Sequence, residues 1–255
     1  MSRRMLIAGN WKMNKTPQET EAFINELLPT LPSDPGADVL IIPPFTSLDR
    51  AGRLLSHAAL ALGAQDLHFE PSGAFTGAVS GAMLAACGCR YVLVGHSERR
   101  HIFGDSDADL SRKLNAALDA GLHPILCLGE TLEERTRGEM EAVVTRQLTS
   151  VCEALRRAGD TGVSYAYEPV WAIGTGETAA PEQAQEASRF VRTWIGETLA
   201  PSAAEAARIL YGGSVKPGNA CELLSPPDID GALIGGASLR PDAFAEIIAA
   251  AQTGD

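Results

Sequence analysis

The chain has 255 residues, 45% of them hydrophobic, and a formal net charge of −11. This is enough apolar material for one large single-core domain spanning residues 1–255. The acidic balance argues against nucleic acid and against anionic membrane surfaces as partners, because both select basic patches.

Cys87, Cys89, Cys127, Cys152 and Cys221 are an odd number of cysteines with no CxxC pair. They read as reduced intracellular thiols rather than as a disulfide framework or a zinc site. At the N-terminus, Arg3-Arg4 precedes only five weakly apolar residues, too few for a signal peptide. No apolar run approaches a membrane span, so the expected location is the cytoplasm.

Along the chain, MLIAGNW (5–11) is the first predicted strand and closes on Asn10, with Lys12 just beyond. Thr16-Pro17-Gln18-Glu19 is a capping box with proline at the first helical position, ahead of Phe23, Ile24, Leu27, Leu28 and Leu31. ADVLIIP (37–43) and LALGAQD (60–66) are the next strands. QDLHFEPSGAFTGAVSG (65–81) is long for a connecting loop, and long loops in compact domains are usually functional. YVLVGHS (91–97) ends at His96, with Glu98 two residues on, and Ser106 opens a helix that reaches Gly121. HPILCLGE (123–130) and VSYAYEP (163–169) follow, the latter ending on Glu168-Pro169. RILYGGS (208–214) and GALIGG (231–236) end in diglycines, and Pro181 and Pro241 sit where first-turn prolines belong.

Most of these strands are continuous apolar runs, which suits a parallel sheet covered on both faces. Eight of them alternate with helical patterns at about thirty residues per unit, the arrangement of one (β/α)8 barrel. A doubly wound open sheet fits less well, since eight similar units leave no obvious edge strand. In a barrel the carboxyl ends of the strands converge on one mouth. Asn10, Lys12, His96, Glu98, Glu168, Ser214, Gly235 and Gly236 would then surround one small ligand.

Singly, each of these residues also has an ordinary reading. Glu168 alone is a solvated loop residue, but Pro169 directly after it favours an extended, stiffened backbone. His96 alone is a hydrogen-bonded structural histidine, the reading that His57, His68, His101 and His123 keep. Lys12 alone is a surface cation, and Glu98 reads as a buried ion-pair partner rather than a second base. Diglycines at consecutive strand ends let backbone amides approach an anion, and phosphate binds well to amides in such turns. Gly174-Thr175-Gly176-Glu177-Thr178-Ala179 matches a dinucleotide fingerprint, but Glu168 to Ile173 separate it from its strand, so no nucleotide cofactor is expected. No histidine or carboxylate cluster has the spacing of metal ligands, so no metal is expected either.

AGNWKMN (8–14), GAFTG (73–77), VGHSERRHIFG (94–104), CLGE (127–130), YEPVWAIGTG (167–176), YGGSV (211–215) and IGGASL (234–239) resemble, in order and spacing, the signature segments of the triosephosphate isomerase family. The resemblance spans essentially the whole chain. It implies interconversion of dihydroxyacetone phosphate and glyceraldehyde 3-phosphate without cofactor or metal. It assigns Glu168 as the base that shuttles a proton between adjacent carbons, and His96 as a neutral imidazole donating to the enediolate oxygens. It assigns Lys12 as the cation beside them, with Asn10 next to it. Phosphate would be gripped by Gly174 on a lid (169–179) together with Ser214, Gly235 and Gly236. The apolar Val170, Trp171 and Ile173 would be buried when the lid closes over a dry site, with hinge ends at Pro169 and near Ala179. Glu98 is implied to position its neighbours. The resemblance further implies a homodimer in which loop 65–81 brings Thr76 near the partner's Asn10 and Lys12.

The chain departs from the family pattern at Ala78, where a glutamate commonly pairs with the arginine at position 99 across the dimer. It departs also at Gly81, Asp66, Asp105 and, on the lid, Glu177. These positions put dimer strength and lid rate in question, and leave the reaction untouched. Two other readings stand beside the isomerase. One is another phosphate-binding barrel enzyme such as an aldolase or epimerase, which would need a Schiff-base lysine or metal ligands. The other is an inactive phosphate-binding barrel acting as a scaffold, against which the intact Asn10, Lys12, His96 and Glu168 argue.

Overall fold

The computed structural model describes residues 3–172 and 179–251. Eight parallel strands close on themselves in sequence order: β1 (Leu6–Asn10), β2 (Asp38–Ile42), β3 (Leu60–Ala64), β4 (Tyr91–Val94), β5 (His123–Leu128), β6 (Ser164–Tyr167), β7 (Ile209–Tyr211) and β8 (Gly231–Ile234). The seam is β1 against β8, with Leu6 opposite Gly231 and Gly9 opposite Ile234. Every predicted strand is present, and the fold is the (β/α)8 barrel expected from the alternation.

Helices cover the outside. Between β1 and β4 run α1 (Pro17–Leu27), α2 (Leu48–Leu55) and α3 (Gly81–Ala86); after β4 come α4 (Ser97–His101) and α5 (Asp107–Asp119). The second half carries α6 (Leu132–Thr136), α7 (Met140–Ser150), α8 (Cys152–Ala158), α9 (Pro181–Thr198), α10 (Pro201–Ala206), α11 (Pro217–Leu224) and α12 (Pro241–Ala250). The capping box on Thr16 and Glu19 forms as read, with Thr16 Oγ1 accepting from the Glu19 amide and the Glu19 carboxylate accepting from the Thr16 amide. Ser106 and Asp109 form a second one at the head of α5, and each such cap is worth about 1 kcal/mol.

The strands alternate between two cores because successive strand residues face opposite sides. Leu6, Ala8, Leu40, Ile42, Leu93, Ile125, Cys127, Ala166, Leu210 and Leu233 fill the barrel interior. Their neighbours Ile7, Val39, Ile41, Val92, Val94, Leu126, Tyr165 and Ile234 pack outward under Phe23, Leu114, Val144, Val191 and Phe244 of the helices. Both faces are therefore apolar, which is why the strands read as continuous rather than alternating runs.

At the amino-terminal end of the barrel, His123 donates or accepts at Ser164 Oγ through Nε2 at 2.9 Å, with its ring edge-on to Tyr91. Burial, reinforced by the nearby Arg208 cation and opposed by Asp38, pushes its pKa down to about 4. An unfolded histidine titrates near 6.5. Below that pH the unfolded chain takes up a proton that the folded chain refuses, so stability falls as pH drops from about 6.5 toward 4. Urea denaturation at pH 7 and pH 4.5 is expected to show a smaller acid loss in His123→Asn than in the parent. The difference should reach about 2–3 kcal/mol, and an unchanged difference would place the acid sensitivity elsewhere.

Candidate active site

The inward register of the strands builds the mouth. Asn10 continues Leu6–Ala8, and Glu168 continues Ala166 beyond β6, so both side chains inherit the inner face. The same register puts Gly95, Gly129, Gly212 and Gly235 at the tops of β4, β5, β7 and β8. Of these, Gly212 and Gly235 line the cavity at the mouth, while Gly95 and Gly129 take left-handed φ values that let the chain turn there.

Asn10, Lys12, His96, Glu168, Ser214, Gly235 and Gly236 all line one cavity of about 590 Å³, together with Gly212, Gly213 and Leu233. Seven residues named from the sequence thus come together. Gly174 lies outside the described residues, as do Ile173 and Glu177 of the expected lid. Thr76 is exposed on its loop and does not line this cavity.

Glu168 is almost fully buried, at 2% exposure. Its backbone is clamped between neighbours: its amide donates to Leu128 O at 2.7 Å, and the Gly212 amide donates to Tyr167 O at 2.7 Å. Two glycines permit this. A Cβ on Gly129, whose φ is 153°, would sit 1.9 Å from the Glu168 carbonyl oxygen, and a Cβ on Gly212 would sit 2.8 Å from Glu168 Cγ. The carboxylate accepts from the Ser97 amide at Oε2, 2.8 Å, and faces His96 Nε2 from Oε1 at 3.0 Å.

Strict alternation would send His96 outward with Val94. Gly95, at φ 75°, breaks the alternation and turns the chain into α4. His96 caps that helix, its Nδ1 accepting from the Glu98 amide at 3.2 Å. An Nδ1 that accepts carries no hydrogen, so the ring proton sits on Nε2, toward Glu168 and the cavity. Glu98 pairs with Lys12 Nζ at 2.6 Å, and at 38% side-chain exposure it is only half-buried, less than the sequence suggested.

Lys12 adopts φ 51°, a left-handed backbone for a residue with a long side chain. The Asn10 carboxamide holds the turn by accepting the Lys12 amide at 3.0 Å, while Gln65 Nε2 donates to Lys12 O at 2.7 Å and to Ile42 O at 3.1 Å. Gln65 was not singled out from the sequence, although it ends a predicted strand on a polar residue as Asn10 does.

Ser97, Gln147 and Glu130 were also missed. Gln147 satisfies both backbone groups of Gly129, at 2.9 and 3.1 Å. Glu130 is fully buried; it accepts from Tyr167 OH at 2.9 and 3.0 Å and from Trp171 Nε1 at 3.1 Å, with Arg135 at 3.7 Å. Burial pushes its carboxyl above the usual range. This knot anchors the first turn after Pro169, Val170–Ala172, directly beside the carboxylate of Glu168. The signal for Glu130 was the same one that exposed Glu168, a carboxylate closing an apolar strand.

The arrangement can hold a carbon-bound proton between a buried carboxylate and an N–H donor, with an ammonium beside them and backbone amides opposite. The triosephosphate isomerase family model matches residues 5–251. The chain is 51% identical over 249 residues to the triosephosphate isomerase of Symbiobacterium thermophilum, which covers 98% of this chain and 97% of the relative. It is 49% identical over 246 residues to that of Carboxydothermus hydrogenoformans, with 96% and 98% covered, and 49% identical over 245 residues to that of Aquifex aeolicus, again with 96% and 98% covered. A closed eight-stranded barrel, a mouth that gathers the expected residues and a match over nearly its full length lead to one conclusion: the chain belongs to the triosephosphate isomerase family.

Proposed function

We infer that the chain interconverts dihydroxyacetone phosphate and D-glyceraldehyde 3-phosphate by proton transfer through an enediolate. The observation that carries this is the pairing of Glu168 with His96 at 3.0 Å on the wall of a cavity that also holds Lys12 and the two diglycines. The step is a proton abstraction α to a carbonyl. Glu168 takes the proton from one carbon, the C–H electron pair becomes the new carbon–carbon π bond, and the carbonyl pair moves onto oxygen. His96 Nε2–H and the Lys12 ammonium stabilise that oxygen, which takes up the proton of the neighbouring hydroxyl by way of His96 Nε2. The neighbouring C–O then closes to the new carbonyl as Glu168 returns the carbon-bound proton to the adjacent carbon. For this the carboxylate must exchange its present bonds to Ser97 and His96 for the substrate.

Phosphate is assigned to Ser214, Gly235 and Gly236, and to Gly174 of the lid. Gly235 precedes a short 3₁₀ turn, Gly236–Leu239, and the first amides of such a turn have no partner within it and suit an anion. A base of this kind contributes about 10²–10⁴-fold and a preorganised donor about 10²–10³-fold.

Turnover of glyceraldehyde 3-phosphate in D₂O tests the reading. The expected product carries carbon-bound deuterium, because a proton held on a carboxylate exchanges with solvent. Turnover without label would point to direct hydrogen transfer between carbons. No turnover by folded protein would favour the inactive phosphate-binding scaffold.

We further propose a homodimer, one barrel domain per chain, in the cytoplasm. Cys87, Cys89, Cys127 and Cys152 are free thiols, which supports a reducing compartment. Loop 65–81 and its surroundings expose Phe45, Phe75, Ile102 and Phe103, the last two at 73% and 66%, an apolar cluster that a second copy would cover. Sedimentation equilibrium is expected to give twice the chain mass, and Phe103→Glu to shift it toward the monomer. A monomeric parent would remove Thr76 from any partner's site.

A further inference from the structure

The cavity extends past the phosphate cradle. Its volume of about 590 Å³ falls in the range filled by drug-sized ligands, whereas a triose phosphate has only about ten non-hydrogen atoms. Beyond Ser214 the wall continues through Val215, Lys216 and Pro217 into α11. Beyond Gly236 it continues through Ala237 and Leu239 to Arg240 at the head of α12. From the cradle both segments run on into the outer helices α11 and α12.

Two cations therefore stand at the outer rim. Lys216 is exposed and enters no ion pair among the described residues. Arg240 forks onto Asp242, through Nε at 3.2 Å and Nη2 at 2.6 Å, which aims the guanidinium while its Nη1 makes no hydrogen bond among the described residues. The isomerisation uses neither, since its reacting carbons lie on the inner side of the phosphate. In a chain of net charge −11, an ammonium without an ion pair among the described residues and a guanidinium that keeps Nη1 for a further acceptor stand beside an anion cradle, an arrangement that suits a second negative group.

We propose that this outer lobe is a second anion subsite, taking the distal phosphoryl group of a diphosphate whose proximal phosphoryl occupies the glycine cradle. The inference rests on the phosphate assignment above. A group esterified to the inner phosphate oxygen runs toward Glu168, as the substrate does, while one joined through an outer oxygen runs toward Lys216 and Arg240. Charge-assisted hydrogen bonds from an ammonium and a guanidinium are the contacts such a group would gain. Diphosphates would then compete with substrate, and the enzyme would sense their concentration.

The test compares inorganic pyrophosphate with orthophosphate as competitive inhibitors of glyceraldehyde 3-phosphate turnover, at constant ionic strength and without divalent cations. The readout is the ratio of the two inhibition constants, which a uniform change in turnover does not move. Pyrophosphate is expected to bind at least about tenfold more tightly than orthophosphate, one charge-assisted contact's worth. In Lys216→Ala/Arg240→Ala the ratio should fall to within about threefold of unity. The control variant Arg156→Ala/Arg189→Ala removes two exposed arginines that do not line the cavity, and it should keep the parent ratio. Equal inhibition by the two anions in the parent, or an equal loss of ratio in the control, would overturn the subsite and leave the rim cations as a general attraction for anions. Absent turnover in the parent would instead overturn the isomerase reading; calorimetric titration of the same protein with pyrophosphate would then decide the subsite by itself.

Discussion

Glu168→Gln is expected to lower kcat for triose phosphate isomerisation by about 10²–10⁴-fold while moving KM by no more than a few fold. The amide has the shape of the carboxylate, and its oxygen can still accept from the Ser97 amide, so the buried pocket around residue 168 keeps its packing. What it loses is basicity. Residual product formed in D₂O should still carry carbon-bound deuterium, since any enediol is reprotonated from solvent, but it should accumulate only at the lowered rate. Glu168→Asp separates reach from basicity: it keeps the charge but withdraws the carboxylate by one methylene. Misplacement of about 1 Å alone can cost about 10²-fold, so this variant should fall between the parent and the amide. A Glu168→Gln enzyme within tenfold of the parent would remove Glu168 from the base role.

Lys113→Met is expected to cost about 3–5 kcal/mol of unfolding free energy, the usual cost of leaving a buried charge without its partner. Lys113 is 4% exposed; its Nζ lies 2.7 Å from Asp66 Oδ1 and 2.5 Å from Asp105 Oδ2. Arg99 completes the group, 3.0 Å from Asp105 Oδ1 and 3.4 Å from Asp66 Oδ2. Two acids and two bases thus close a neutral quartet at the root of loop 65–81. Burial raises the Asp66 carboxyl above its ordinary range, the two cations only partly offsetting it. Burial raises Asp105 as well, but hydrogen bonds from Arg99 and Lys113 outweigh it and hold Asp105 low.

Without Lys113, Asp66 should rise further. An acid whose folded pKa exceeds its unfolded value loses stability as pH rises. The deficit of Lys113→Met should therefore be larger at pH 7 than at pH 4.5. Adding Asp66→Asn should recover part of it by deleting the orphaned charge. Urea denaturation at one fixed protein concentration measures all three, and an additive double variant would show that the two residues are uncoupled.

The quartet also bears on three of the departures noted in the sequence, Ala78, Asp66 and Asp105. Arg99 has no glutamate at position 78 to meet, yet it is not stranded. Asp105 reaches it despite the shorter side chain, and Asp66 supplies a second carboxylate from the loop's own root. Any dimer this chain forms can therefore rest on apolar contacts such as Phe103 and Ile102 rather than on that ion pair.

Much of the protein was legible before folding was considered. Continuous apolar runs on both faces specify parallel strands, capping residues mark α1 and α5, and eight such units specify a closed barrel. Asn10 and Glu168 were legible for a further reason: they extend the inward register of their strands, so their direction follows from counting by two. His96 was legible only as a residue type, because Gly95 breaks that count and the turn into α4 decides where the ring points.

Side-chain partnerships across the barrel were not legible at all. Gln65 steadies Lys12 from 53 residues away, Gln147 braces Gly129, and Glu130 ties Tyr167 and Trp171 into the first turn after Pro169. Local sequence carries backbone preference and hydrophobic period, which act over a few residues, and these determined the strands, the helices and the inward tilt of the site. The state of each buried polar group depends instead on which atoms lie within about 3 Å once the barrel has closed. That closure alone decided that Ser97 would hold the Glu168 carboxylate, that Glu98 would take Lys12, and that Asp66 and Asp105 would share Lys113.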